Sequence, residues 1–234
     1  MGDTVQELKE KLALACRVLI NENLTDRGKG HQCVRVPGKD QLILPGHLHD
    51  VGRGLEGITA DDMVVIDFNG KVLEGKYPES MGEYYFYVSA FHRRPDVQSC
   101  LHIHPFYANL IGIAKQTLLP VSRDGCFFAD VVSLHEEFPL YVGEPGLGDR
   151  LAKKLGKTGK AVLHRAHGAF VVGRSIEECL MNAITLEKAA QFQVWASMMG
   201  KLKPFSKKQL KGFNTTYAEH IFAESFAYFA NKVK

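Results

Sequence analysis

The sequence predicts an α/β fold in which a mixed, mainly antiparallel sheet is flanked by helices. Three observations lead to this prediction. Helical and strand-like patterns alternate along the 234 residues, turn signals join strand-like segments into hairpins, and neither a linker nor an internal repeat divides the sequence. With 45% hydrophobic residues, the chain is long enough to bury one sizeable core. We therefore expect one domain over residues 1–234.

The first half of the sequence opens with a helix and two hairpins. Leu8, Leu12 and Cys16 recur at helical spacing and predict a helix over 4–22. Two turn signals, one Pro-Gly pair and one Asn-Gly pair, each separate two short apolar runs. The hairpins that they predict cover 31–44 and 63–73.

Helices and strands alternate through the rest of the sequence. Ser175 followed three residues later by Glu178 is a capping-box pattern, which predicts that a long helix starts there. Two apolar runs broken at His167-Gly168 predict two short strands. The other predicted elements are helices over 83–93, 107–115, 145–155 and 214–234, a strand over 97–103, and short strands between 119 and 140.

Composition argues against several classes of function. The net charge of +3 gives no electrostatic reason to expect nucleic-acid or membrane binding. No apolar run is long enough to span a bilayer. The five cysteines are scattered without a C-x-x-C pair, which is typical of reduced thiols in the cytoplasm. We expect a cytoplasmic protein that acts on a small molecule, without nucleic-acid or membrane partners.

Two histidines spaced two residues apart are the strongest functional signal. His102 and His104 lie in an apolar run that predicts a strand, and side chains at i and i+2 of a strand point to one face. Neutral imidazole is the commonest metal ligand in proteins. The alternative interpretation is a buried pair that only bonds to backbone carbonyls.

A third imidazole and a carboxylate complete a candidate metal centre. His167 stands at a turn, where Gly168 lets another backbone approach closely. Glu83 opens a predicted helix, although a carboxylate there is also favoured simply by the helix dipole. Three imidazoles with a nearby carboxylate and a free position are typical of a catalytic metal centre. Zinc is the expected ion, with manganese or cobalt as alternatives, at one ion per subunit.

These residues and their spacing resemble the class II aldolase/adducin family. The resemblance rests on Glu83, on His102-Ile103-His104-Pro105, on His167-Gly168 and on Arg94-Pro95-Asp96-Val97. It implies an α/β/α sandwich and a homotetramer with active sites between subunits. It also implies that the three histidines hold a divalent metal and that Glu83 is the catalytic acid/base, whose pKa would have to be raised by partial burial. Whether Glu83 also contacts the metal at rest is left open.

Substrate residues are predicted where this sequence departs from the sugar-phosphate aldolases of that family. Their phosphate-binding loops carry small hydroxyl side chains, whereas this chain has Lys29-Gly30-His31, Pro45-Gly46 and Met81-Gly82. We therefore expect a substrate that binds through carboxylate rather than phosphate groups. The candidate substrate-binding residues are His31, Gly46, His47, Arg53 and, at a position facing a neighbouring subunit, Arg123. A surface loop at His47 and a structural ion pair of Arg123 with Asp124 or Asp130 are the alternatives.

The expected function is that of a metal-dependent carbon–carbon lyase. A divalent ion can stabilise the enolate that forms when such a bond breaks. We favour a decarboxylase of a small hydroxylated carboxylate, aromatic or heteroaromatic, because the altered phosphate loops and Arg123 resemble the non-phosphate, decarboxylase-type branch of the family. One alternative is an aldolase that cleaves a hydroxy acid or a sugar phosphate. Others are an epimerase or dehydratase on a sugar-like substrate, and a non-catalytic module like the adducin head.

Overall fold

The computed structural model describes residues 3–25, 29–47, 54–137, 146–211, 213 and 215–234. Its strands are β1 (His31–Arg35), β2 (Gln41–Pro45), β3 (Met63–Asp67), β4 (Val72–Glu74), β5 (Ser99–Ile103), β6 (Val132–His135), β7 (Ala161–His164) and β8 (Gly168–Gly173). Its helices are α1 (Val5–Asn21), α2 (Tyr84–Arg93), α3 (Phe106–Ile113), α4 (Arg123–Cys126), α5 (Leu147–Leu155), α6 (Ile176–Met199), α7 (Lys207–Leu210) and α8 (Thr215–Asn231), with a 3-10 helix at Ala60–Asp62.

The strands form one eight-stranded sheet in the order β4-β3-β2-β1-β5-β8-β7-β6. Neighbouring strands are antiparallel except for β6 and β7, which are parallel. The predicted α/β fold with a mixed, mainly antiparallel sheet is therefore confirmed. Because β1 and β8 pair with β5 on its two sides, β5 lies inside the sheet, and all of its residues are buried.

Helices cover both faces of the sheet and enclose two apolar cores. Helices α1, α3, α6 and α8 contribute to the first core, and α2 and α5 contribute to the second. The alternation along β8 shows the division, because Val171 belongs to the first core and Phe170 to the second. His102 points to the second side, where its ring contacts Phe86 of α2. The layers are those of the α/β/α sandwich that the resemblance implied.

Side-chain caps start helices α1 and α6 of the first layer. Thr4 accepts a hydrogen bond from the Glu7 backbone N–H and completes a capping box at the start of α1. Ser175 likewise accepts from the Glu178 N–H, so the predicted start of α6 is confirmed. Within the described ranges, no helix combines the length and the apolar character needed to cross a lipid bilayer.

The segment between 119 and 137 differs from the prediction of several short strands. Arg123–Cys126 is a helical turn, because the Ser122 hydroxyl accepts a hydrogen bond from the Gly125 N–H and closes the chain on itself. One strand, β6, follows it. Residues 138–145, which include the expected start of the helix at 145, lie outside the described residues.

Gly168 lies where β8 starts beside the end of β5. A Cβ at this position would collide with the Ile103 carbonyl oxygen and would lie 2.9 Å from His104 Cδ2. Overpacking of a fixed core costs about 1–3 kcal/mol. We therefore expect Gly168→Ala to lower the free energy of unfolding by that amount, measured by urea denaturation. The control is Gly57→Ala, because nothing lies within 4 Å of a Cβ built there; equal losses in both variants would contradict the packing argument.

Candidate metal centre

Three imidazoles converge at the end of β5. His102 lies in β5, His104 follows it, and His167 immediately precedes β8. The Nε2 atom of His167 lies 3.0 Å from that of His102 and 3.3 Å from that of His104. Zinc ligands about 2.0–2.1 Å from a tetrahedral ion stand about 3.3 Å apart. The spacing and chemistry of these donors therefore fit one small divalent cation, as the metal-site prediction requires.

Aromatic packing fixes the orientation of two of these rings. The His102 ring meets Phe86 edge to face, with centroids 5.9 Å apart. The His167 ring stacks on His164, with centroids 5.0 Å apart and planes 18° from parallel. His164 in turn meets the ring of His135, its strand partner in the parallel pair of β6 and β7. A row of imidazoles therefore leads from the edge strand of the sheet to the candidate site.

A strained turn presents His167. The chain turns between β7 and β8, and the His167 N–H donates to the His164 carbonyl oxygen over 3.0 Å. Ala166 occupies the left-handed region at φ 58°, which costs a residue with a Cβ about 1–2 kcal/mol. The sheet and the stack on His164 hold this conformation in place.

Burial keeps the candidate ligands in the form that binds a metal. It lowers the pKa of His102 well below the ordinary value, because a charged imidazole would be poorly solvated there. The pKa of His167 is lowered for the same reason. A neutral imidazole has a free lone pair, so these two rings need not release a proton before they coordinate a cation.

Glu83 lies at the N-cap of α2, and its carboxylate contacts the buried His31. Its Oε2 atom is 3.4 Å from His31 Nε2. Burial alone would raise the pKa of the Glu83 carboxyl, but the contact with His31 holds it below the ordinary value. The Glu83 pKa therefore shifts opposite to the expected upward direction, because the sequence did not show that His31 faces Glu83. A carboxylate with a lowered pKa rests in the form that accepts a proton.

Glu187 of α6 is a site neighbour that the sequence did not reveal. Its carboxylate accepts hydrogen bonds from the backbone N–H groups of Tyr107 and Ala108, over 2.8 and 2.9 Å. These are free donors of the first turn of α3, which starts two residues after His104. Glu187 thereby fixes the chain that follows this ligand. No sequence pattern could relate two residues that lie eighty positions apart.

Two of the predicted substrate residues make other contacts within the chain. The His31 ring is fully buried, with Nδ1 2.5 Å from the Tyr87 hydroxyl and Nε2 toward Glu83. The half-exposed His47 ring lies with Nδ1 3.9 Å from a Glu79 carboxylate oxygen. Their roles toward a substrate remain predictions.

The other substrate candidates lie in separate surroundings. Gly46 sits against the Tyr77 ring, which would collide with any Cβ at that position. Arg53 lies outside the described residues. Arg123 lines a cavity of about 720 Å³ together with Lys188 and Glu187. Among the described residues, the lining of that cavity does not include the three converging histidines. The role of Arg123 toward a neighbouring subunit remains a prediction.

Residues 10–194 match the family described as Class II Aldolase and Adducin N-terminal domain. The chain belongs to this family. Decarboxylase NovR of Streptomyces niveus is 26% identical over 145 residues, which are 62% of this chain and 53% of that protein. The 3,4-dihydroxyphthalate decarboxylase of Terrabacter sp. strain DBF63 is 28% identical over 206 residues, 82% of each chain. The chain thus spans only about half the length of NovR, but most of the second relative.

Solved structures of this family share the fold. L-fuculose 1-phosphate aldolase from Glaciozyma antarctica PI12 superposes with a TM-score of 0.83 over 100% of this chain and 92% of that chain. The sequence identity is 23%, so this likeness concerns the architecture alone. Family membership, which the sequence motifs predicted, is confirmed.

The metal-free protein should lose stability as the pH falls below the ordinary range of histidine. Burial lowers the pKa of His102 and His167, and it lowers that of His164 to about 4. The unfolded chain binds protons at these groups from about pH 6.5 downward, and the folded chain binds them only at lower pH. Acid therefore favours the unfolded state. With a chelator present, the urea-unfolding free energy should fall between about pH 7 and pH 5 by an amount on the order of 2 kcal/mol.

Two variants test this explanation. His164→Phe keeps a ring against His167 but cannot bind a proton, so its stability should depend less steeply on pH. His92→Ala removes an exposed imidazole and should leave the slope unchanged. A slope in His164→Phe equal to that of the original protein would show that burial of this group does not cause the acid sensitivity.

Proposed function

We propose that this protein is a divalent-metal-dependent carbon–carbon lyase that decarboxylates a small hydroxylated carboxylate, aromatic or heteroaromatic. The observation that carries the proposal is the convergence of His102, His104 and His167 next to the Glu83 carboxylate. The likeness to 3,4-dihydroxyphthalate decarboxylase over 82% of each chain supports decarboxylation.

The three histidines would hold the cation through their ring nitrogens. Zinc is proposed because three neutral nitrogen donors suit it, with manganese and cobalt as alternatives. When bound, the cation supplies Lewis-acid stabilisation of negative charge on substrate oxygens. The burial of His102 limits competition from water and protons for that donor atom.

Glu83 would move the proton in the reaction. As a carboxylate it accepts the proton of the substrate hydroxyl, which leaves negative charge on that oxygen. Glu83 returns this proton to the carbon that carries the carboxylate group, while the substrate oxygen forms a carbonyl. The bond to the carboxylate group then breaks, its electron pair moves back onto that oxygen as an enolate, and carbon dioxide leaves. Atoms and charge balance once the product oxygen takes a proton from water.

The loops around the site argue against a phosphorylated substrate. Phosphate sites use hydroxyl groups and backbone N–H donors. Met81, where sugar-phosphate aldolases carry a hydroxyl side chain, instead packs against the second core. Arg123 is proposed to bind a substrate carboxylate through its guanidinium fork, in a site completed by a neighbouring subunit.

We propose a homotetramer with active sites between subunits. Large apolar side chains near the cavity of Arg123 support this assembly. Phe106, which lines that cavity, is 64% exposed, and Trp195 is 54% exposed. The Trp195 indole N–H donates to the hydroxyl of Tyr107, which also lines the cavity, so Trp195 and Phe106 lie on the same surface. Clustered exposed aromatic residues are typical of protein interfaces.

The alternative functions either use the same three histidines as metal ligands or do not need them. Aldol cleavage, epimerisation and dehydration all need a cation and a group that moves protons, so product analysis distinguishes them from decarboxylation. A non-catalytic module like the adducin head would not need the converging imidazoles. Their convergence within 4.8 Å of one another therefore favours an enzyme.

Removal of a ligand and removal of the acid/base group should have different effects. His167→Ala takes away one of three donors, so bound zinc and turnover should be lost together. Glu83→Gln should keep the zinc and lower kcat by about 10²–10⁴-fold, the usual contribution of a positioned acid/base. Metal analysis of the purified proteins and steady-state rates measure both effects. His92→Ala is the control, and a Glu83→Gln variant with the original rate would refute the role of Glu83.

The reaction itself can be identified by mass spectrometry. The zinc-loaded protein is incubated with a panel of hydroxylated aromatic dicarboxylates, sugar acids and phosphorylated ketoses. We expect loss of carbon dioxide from a member of the first group. Arg123→Ala should raise KM strongly, and Arg123→Lys should restore it only in part because a lysine lacks the planar fork. Cleavage of a phosphorylated ketose alone would show that the protein is an aldolase.

A further inference from the structure

Two buried polar side chains, His31 and Tyr87, lie in a row behind Glu83. His31 of β1 stands between Glu83 and Tyr87, which lie four residues apart on the face of α2 directed at the sheet. Tyr87 and His31 are both 0% exposed, and the Phe170 ring stacks on Tyr87. Bulk water therefore cannot replace a hydrogen bond that Tyr87 or His31 loses.

The Tyr87 hydroxyl has two acceptors within reach. It lies 2.5 Å from His31 Nδ1 and 3.1 Å from the His31 carbonyl oxygen. A hydroxyl rotates freely but has only one proton to donate. If it donates to Nδ1, the single proton of a neutral ring sits on Nε2 and points at Glu83. If it donates to the carbonyl, its oxygen is free to accept a proton from Nδ1, and Nε2 then presents a lone pair to Glu83.

These two arrangements match the two states that Glu83 passes through as an acid/base. A carboxylate needs a donor, and the first arrangement offers the Nε2 proton. A carboxylic acid needs an acceptor, and the second arrangement offers the Nε2 lone pair. The proton counts differ by one, which is the proton held by Glu83. Each arrangement leaves the buried Nδ1 with the Tyr87 hydroxyl as its partner, so neither state leaves that nitrogen unsatisfied.

We propose that His31 and Tyr87 are positioning residues for Glu83, which hold its carboxyl group in both protonation states through rotation of the Tyr87 hydroxyl and a change of His31 tautomer. This inference rests on the proposed acid/base function of Glu83. It differs from the predicted contact of His31 with the substrate, because Nδ1 contacts the Tyr87 hydroxyl and Nε2 faces Glu83 inside the protein.

Nitrogen-15 NMR of the histidine side chains in the zinc-loaded protein tests the tautomers directly. His31→Asn identifies the His31 signal by its disappearance. The original protein should show the proton on Nε2. Glu83→Gln, whose amide can donate where a carboxylate cannot, should show it on Nδ1. The same tautomer in both proteins, or a doubly protonated ring in either, would overturn the inference.

Kinetics provide the second test. Tyr87→Phe removes only the rotating hydroxyl, so zinc content and KM should stay unchanged while kcat falls on the order of tenfold. Tyr84→Phe is the matched control on the same helix, because its hydroxyl donates to the Asn69 carbonyl oxygen, away from His31. An unchanged kcat in Tyr87→Phe would also overturn the inference. Failure to find any lyase substrate would count against the proposed function, and the NMR result would still decide the tautomers.

Discussion

The pairing of β5 with both of its neighbours is the constraint on which the site depends. In the register of β1, His31 lies opposite His102, and in the register of β8, Phe170 lies opposite His102. A shift of β5 by one residue would turn each of its side chains to the opposite face. The two candidate metal-binding histidines of this segment would then point into the first core, which α1, α3 and α6 fill with apolar side chains.

Stability and ligand chemistry are linked through the same burial. Burial of a charged imidazole costs desolvation free energy, so a buried imidazole stays neutral. The neutral form is also the one that coordinates a cation. Burial alone therefore keeps His102 and His167 in the protonation state that a metal ligand requires. A cation bound by these rings would offset the free-energy cost of holding three imidazoles close together, because ligand binding to the folded state stabilises it.

The sequence predicted what depends on local spacing and missed what depends on distant contacts. The i, i+2 spacing of His102 and His104, the glycine after His167 and the helix start at Glu83 were all visible without a structure. The roles of Tyr87 and Glu187 were not, because these side chains act across the gap between separate elements. The direction of the Glu83 pKa shift was mispredicted for the same reason, since it depends on a contact between β1 and α2.

The helical turn at Arg123–Cys126 shows a second limit of sequence patterns. Short apolar runs in that region favoured strands. The Ser122 hydroxyl, however, accepts a hydrogen bond from the Gly125 N–H, and the chain forms a helical turn instead. A single local hydrogen bond of this kind competes with strand pairing in a way that apolar periodicity does not reveal.

The three imidazoles differ in how strongly the sheet constrains their positions, because His167 follows the left-handed Ala166 in a turn. His102 and His104 belong to the segment of β5, which pairs with a strand on each side. His167 lies in the short turn between β7 and β8. Changes in that turn can move or remove the third ligand while the sheet stays intact. The fold could therefore persist without the third imidazole, and changes in this one turn could alter which cation the candidate site accepts while the two cores stay the same.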